Sequence, residues 1–177
     1  LTTHKLKADL VGHVEPIYGL TVSPDGRFLA TSGASRFKGG SIRLWNTYNW
    51  TLRREWEIGG QIEALSLSPD RRHLAACQGA TLTVFDITSG KETFSVGVRG
   101  YGGIQDVAYS PNGAQIVVSM DERHGVLEPT FARINVKTRE VKRKILPKEE
   151  DNDFVAFLSD GVTAAIGTGN GRLFLWN

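Results

Sequence analysis

Three carboxylates recur at matching places along this chain of 177 residues: Glu63, Asp106 and Asp153 each stand at or beside the entrance to a short alternating apolar stretch. Brought together around one channel, they would be the ligands that hard cations take, and a bound metal would supply hydrolytic chemistry. None of them sits in the spacing a coordination loop requires, so solvated carboxylates are the simpler account and no metal or cofactor is expected. His4, His73 and His124 have no acid at the spacing of a nucleophilic triad, and His13 reads as a structural hydrogen-bond donor. Cys77 follows Ala75-Ala76 in an apolar stretch and reads as a small buried hydrophobe. The run Gly167-Thr168-Gly169-Asn170-Gly171 has no Lys and opens no helix, so it is a turn rather than a phosphate loop.

A second group has the chemistry of binding. Tyr18, Glu63, Gln105 and Asp153 enter four equivalent apolar stretches, and Arg36, Phe37, Lys38, Arg99, Tyr101, Arg123 and His124 lie in longer irregular segments beside them. Tyr and Arg anchor protein contacts because they bring large rigid area or bidentate charge. These residues form the expected partner-binding set. The basic run Arg139, Lys142, Arg143, Lys144, Lys148 is followed at once by Glu149, Glu150, Asp151 and Asp153. Diluted in that way, it reads as a charged edge strand that resists sheet-to-sheet aggregation, not as a nucleic-acid surface.

The elements that must position these residues are set by a phrase repeated four times. It reads Val22-Ser23-Pro24-Asp25-Gly26, Leu67-Ser68-Pro69-Asp70-Arg71, Tyr109-Ser110-Pro111-Asn112-Gly113 and Phe157-Leu158-Ser159-Asp160-Gly161. Pro pre-sets the first turn dihedral and Gly tolerates positive φ, so each copy is a hairpin connector between two alternating stretches. Each unit closes on a short strand: Leu44-Trp45-Asn46, Val84-Phe85-Asp86, Arg133-Ile134-Asn135 and Leu175-Trp176-Asn177. Asn46 to Asn177 spans 131 residues over three repeats, or ~44 residues each, the period of a four-stranded blade rather than a helical repeat. Expected strands are 17–22, 27–32, 41–45 and 52–58; 64–67, 74–76, 81–85 and 92–98; 106–109, 115–119, 131–136 and 140–146; and 154–157, 163–166 and 171–176. No helical periodicity competes.

Composition agrees. An apolar fraction of 40%, a charged fraction of 23%, 20 Gly and 6 Pro describe a turn-rich globular chain. A net charge of +2 is too small to imply nucleic-acid or membrane-surface binding by bulk charge. One cysteine rules out an internal disulfide framework and fits a reducing, cytoplasmic setting. No apolar run reaches bilayer length, and no membrane partner is expected. The chain opens on Leu1, so a segment of a longer polypeptide is expected.

Gly12-His13, the Ser-Pro-Asp-Gly turn, Ala30-Thr31-Ser32-Gly33 and Ile42-Arg43-Leu44-Trp45-Asn46 together resemble a WD-repeat β-propeller, and the resemblance covers nearly the whole chain. It implies an all-β propeller of four-stranded antiparallel blades over residues 1–177, with blades near 12–58, 59–98, 99–146 and 147–177 and residues 5–10 as a closing outer strand. It also implies a non-enzymatic scaffold or sensor that binds a protein or peptide. The alternative is a propeller hydrolase or lactonase using the channel carboxylates. Blades of this family often carry a buried His, Ser or Thr, Asp and Trp network. Here blade one supplies His13, Thr31 or Ser32 and Trp45, with an insertion holding Arg36-Phe37-Lys38 in place of the Asp. Blade four has Trp176 and Asn170 but no matching His, and blades two and three have neither Trp nor His. Four blades are few for a ring, which leaves three closures open: part of a larger ring, half of an eight-bladed homodimeric ring, or a small four-bladed ring. In each, the short turns lie on one face and the segments 33–40, 98–103, 120–130 and 147–153 on the other. Binding is expected on that loop-rich face.

Overall fold

A computed structural model of the chain describes residues 5–35, 39–98, 103–120, 130–145, 152–169 and 171–177. These residues form fifteen strands and no helix. Blade one is β1 (Ile17–Val22), β2 (Phe28–Ser35), β3 (Gly39–Asn46) and β4 (Thr51–Ile58); blade two is β5 (Ala64–Leu67), β6 (His73–Gln78), β7 (Thr81–Asp86) and β8 (Glu92–Gly97). Blade three is β9 (Ile104–Tyr109), β10 (Gln115–Met120), β11 (Thr130–Asn135) and β12 (Val141–Ile145), and blade four is β13 (Asn152–Phe157), β14 (Ala164–Thr168) and β15 (Leu173–Trp176). Every sheet runs in simple sequence order and every pairing is antiparallel. Three sheets have four strands and the last has three.

The repeated phrase works as its chemistry dictates. Ser23 Oγ donates to Asp25 Oδ1 at 2.7 Å and accepts from the Phe28 N–H at 2.9 Å, closing the β1–β2 turn on itself. Ser68 and Ser110 repeat this with His73 N and Gln115 N, both at 2.9 Å. In the fourth copy Leu158 replaces the Ser, and Asp160 takes over by accepting from Val162 N and Thr163 N. The turn's last residue is left-handed in all four, at φ 71° for Gly26, 62° for Arg71, 71° for Gly113 and 70° for Gly161. Alanine at Gly26 has open space around its Cβ, so the left-handed backbone alone sets its cost. Gly26→Ala is expected to lower unfolding free energy by about 1 kcal/mol, read from urea midpoints. Gly113→Ala is expected to cost more, because its Cβ would also meet Pro69 at 3.3 Å.

Three apolar seams hold neighbouring blades face to face. The first joins Ala30, Ile42, Leu44 and Trp56 to Leu65, Leu67, Leu74 and Ala76; the second joins Leu82, Val84 and Phe94 to Val107, Ile116, Val118 and Ile134. The third sets Val117 and Phe131 against Val155, Ala164 and Ile166. The inner strands β1, β5, β9 and β13 follow one another along an arc, and among the described residues no comparable packing joins blade four to blade one. Residues 5–14 belong to no sheet, so blade four stays three-stranded within one chain.

Candidate functional site

Consecutive antiparallel strands alternate ends, which puts the short β1–β2 and β3–β4 type turns on one face and the remaining connections on the other. On that second face the inner strands share an irregularity. Ile17 pairs with Gly33 while Gly19 pairs with Ser32, so Tyr18 is an extra residue in the ladder. Gln105 is extra in the same way between Ile104 and Asp106, and Asp153 between Asn152 and Phe154. Glu63 holds the matching place just before β5, where its N–H donates to Cys77 O at 3.0 Å. Bulges of this kind re-aim a side chain and are over-represented beside binding sites. The four residues expected at the strand entrances thus occupy one structurally equivalent position. Tyr18 is 51% exposed there, and Glu63 Oε2 accepts from Gly79 N at 3.4 Å. Arg36, Phe37, Lys38, Arg99, Tyr101, Arg123, His124 and Asn170 lie outside the described residues.

Asp106 behaves otherwise than a channel carboxylate would. Its Oδ1 accepts from Val107 N at 2.8 Å and its Oδ2 from Val155 N at 2.9 Å, so it braces blade three to blade four. Burial pushes its carboxyl above the ordinary range, partly offset by those two N–H donors. Among the described residues no three His, Cys, Asp or Glu side chains converge as a metal site would require.

The brace belongs to a series. Thr21 Oγ1 accepts from Leu67 N at 3.5 Å, joining blades one and two, and Ser66 Oγ accepts from Tyr109 N at 3.1 Å, joining two and three. Counted from each turn, the third brace sits two residues further out, because Ala108 occupies the place of Thr21 and Ser66 and its side chain has no acceptor. Sequence reading missed this series, whose only local signal is a polar residue at an otherwise apolar inner position.

His13, Thr31 and Trp45 meet within blade one. Trp45 Nε1 donates to Thr31 Oγ1 at 2.9 Å, and Thr31 Oγ1 lies 2.8 Å from His13 Nε2. Ser41 Oγ, 3.2 Å from His13 Nδ1, fills the position of the missing Asp. Hydrogen bonds run consistently if Trp45 donates to Thr31, Thr31 to His13 Nε2, and His13 Nδ1–H to Ser41. Ser32 points to the other face and donates to Ile62 O at 3.1 Å. Trp176 packs edge-on against Phe131, with ring centroids 4.6 Å apart, and carries the Arg133 guanidinium at 4.5 Å.

Burial, then the nearby Arg43, holds the His13 imidazole below its usual value, against weaker opposing pulls from Glu15 and Glu55. The unfolded chain therefore binds a proton more readily than the native one. This contribution to stability is complete above about pH 6.5 and is lost as pH falls from there through the lowered folded value. The fall in urea midpoint between pH 7.5 and 5 is expected to be shallower in His13→Gln than in the unaltered chain.

Residues 4–46 match the family described as WD domain, G-beta repeat. The chain is 32% identical over 87 residues to the small ribosomal subunit protein RACK1 of Schizosaccharomyces pombe, an overlap of 49% of this chain and 26% of that protein. It is 31% identical over 121 residues to cross-pathway control WD-repeat protein 2 of Flammulina velutipes, covering 68% of this chain and 37% of that one. The chain thus spans about a quarter to a third of the length of these relatives. The β-propeller domain of Cps50 (Swd1) from Myceliophteria thermophila shares the fold at a TM-score of 0.72 and 19% identity, over 94% of this chain and 54% of that one. Four in-phase blades, the His13–Thr31–Trp45 network and these matches place the chain in the WD-repeat β-propeller family.

Proposed function

We propose that the chain is a non-enzymatic interaction module that binds a protein or peptide partner through its loop-rich face. The observation that carries this is the bulge repeated at Tyr18, Gln105 and Asp153, with Glu63 at the equivalent place, which sets one irregular backbone position per blade at the entrance of each inner strand. The relative named a ribosomal subunit protein is by that name part of an assembly. A hydrolase reading would depend on Asp106, whose two oxygens are committed to backbone N–H groups. A protein partner suits the near-neutral charge better than nucleic acid does. A reducing cytoplasmic setting suits Cys77, buried and held as a thiol by burial.

The test is a selection of displayed peptides against the folded chain, followed by affinity measurements. Tyr18→Ala combined with Gln105→Ala is expected to weaken the selected peptides by about thirtyfold, the loss typical of one anchor residue, at an unchanged melting temperature. Tyr48→Ala, a 95% exposed residue on the short-turn face, is expected to leave binding intact. Peptides sensitive to Tyr48 and indifferent to Tyr18 and Gln105 would place the site on the wrong face.

A further inference from the structure

The outer edges of the first three blades are alike in topology and unlike in charge. β4, β8 and β12 each end their sheet, and among the described residues none has a partner strand on its outer side. From the close of the third strand to the end of the outer one, residues 47–58 hold two cations and two anions, and residues 87–97 hold one of each. Residues 136–145 hold Lys137, Arg139, Lys142, Arg143 and Lys144 against the single anion Glu140. All six side chains are exposed. Arg139 lies over the Phe94 ring at 5.2 Å, and Lys142 reaches Glu140 only at 3.9 Å. Lys137, Arg143 and Lys144 make no ion pair among the described residues. This edge thus carries more positive charge than the whole chain, whose net charge is +2.

Packing does not account for these residues. β4 sets Trp56 opposite Ile42 and β8 sets Phe94 opposite Val84, and each aromatic ring is buried against the next blade. At the same two places, counted back from the closing Asn135, β12 sets Lys144 opposite Phe131 and Lys142 opposite Arg133. Charged side chains do protect an open edge from aggregation, but β4 and β8 leave edges just as open with balanced charge. What a run of like charge does decide is which strand can pair there. A second copy of β12 would set cations opposite cations, which is destabilising, whereas an acidic strand would set opposite charges across each pair.

We propose that β12 is a docking edge for an extended acidic segment of a protein partner, which adds to blade three as a fifth strand. In binding of this kind the main chain supplies affinity and alternate side chains supply selectivity. Lys142 and Lys144 project to one face of the sheet and Arg143 to the other. Asp or Glu at successive positions of the added strand therefore meets a cation on either face. That two-sided arrangement favours a strand over other polyanions. A membrane surface is flat and meets one side at a time. Single-stranded nucleic acid binds by stacking on exposed rings as well as by charge, and the one aromatic residue of β11 and β12, Phe131, is buried. Glu149, Glu150 and Asp151, which follow in sequence, lie outside the described residues. The edge is at the outer rim and stands independently of the binding proposed for the loop-rich face.

The probe is a short fluorescent peptide with Glu-Asp-Glu at its centre and Val and Thr on either side, titrated with the folded chain and followed by anisotropy. Saturable binding is expected, with the backbone amide signals of β12 shifting more than those of β4 or β8 in NMR spectra. Arg143→Glu combined with Lys144→Glu is expected to weaken binding by about tenfold. Arg53→Glu combined with Lys91→Glu makes the same change of net charge on blades one and two, and is expected to leave affinity within about twofold. All four side chains are exposed, and an unchanged far-UV spectrum checks that each variant folds. A peptide methylated on alternate backbone nitrogens keeps its charge, cannot pair as a strand, and is expected not to bind. Equal binding of the methylated peptide would overturn the proposal, because diffuse charge attraction would then suffice. Equal losses in the two double variants would overturn it for the same reason. So would an absence of peptide binding, or tighter binding of oligothymidylate or of phosphatidylserine vesicles than of the peptide.

Discussion

Trp45→Ala is expected to destabilise the chain by about 3–5 kcal/mol, the cost of removing a large aromatic side chain from a buried site. Trp45 is 4% exposed and has two jobs. Its ring fills the side of blade one beneath Gly12, and its indole N–H supplies the donor on which Thr31 and His13 are aligned. Trp45→Phe separates the two, because it keeps most of the apolar area and leaves Thr31 without its donor. About 1 kcal/mol is expected for that variant. Urea unfolding of both decides the matter: equal losses would show that the hydrogen bond, not the packing, holds the site.

Phe131→Ala should cost a similar 3–5 kcal/mol, with a different spatial signature. Phe131 is 1% exposed and sits in the seam between blades three and four, edge-on to Trp176. Among the described residues blade four has three strands and its strands pack mainly on blade three, so little else restrains it. Native-state hydrogen exchange is therefore expected to show the amides of β13 and β14 opening first, while those of β6 and β7 keep most of their protection. Uniform loss across all four blades would mean that the arc unfolds as one unit.

Local chemistry explains why so much of this fold was legible in the sequence. The turns are made within six residues by Ser, Asp and Gly, so Ser23, Ser68 and Ser110 could be placed by reading alone. The expected strand 64–67 coincides with β5, and expected 41–45 widens to Gly39–Asn46. The inner strands begin earlier than expected, at Ile104 and Asn152 rather than 106 and 154, because the bulges at Gln105 and Asp153 interrupt the alternation that marks a strand. The interactions that escaped the reading are long in sequence and short in space. Asp106 meets Val155 across 49 residues, and nothing at position 106 announces which backbone N–H it will serve. Ser41 could not be assigned to His13 for the same reason, since the segment between β2 and β3 hides how the chain returns.

The braces at Thr21, Ser66 and Asp106 all run one way, a side-chain acceptor on each inner strand serving a backbone N–H of the next inner strand. Repeat architectures are commonly treated as stacks of interchangeable tiles whose stabilities add. A directional series breaks that equivalence. Val155 stands two residues further from its turn than Tyr109 does, so blade two moved into the place of blade three would present Ser66 level with Phe157 and, with Ala64 in the place of Asp106, would leave the Val155 N–H without its acceptor. Each blade is keyed to its successor, and the order of blades is as much a part of the structure as their number.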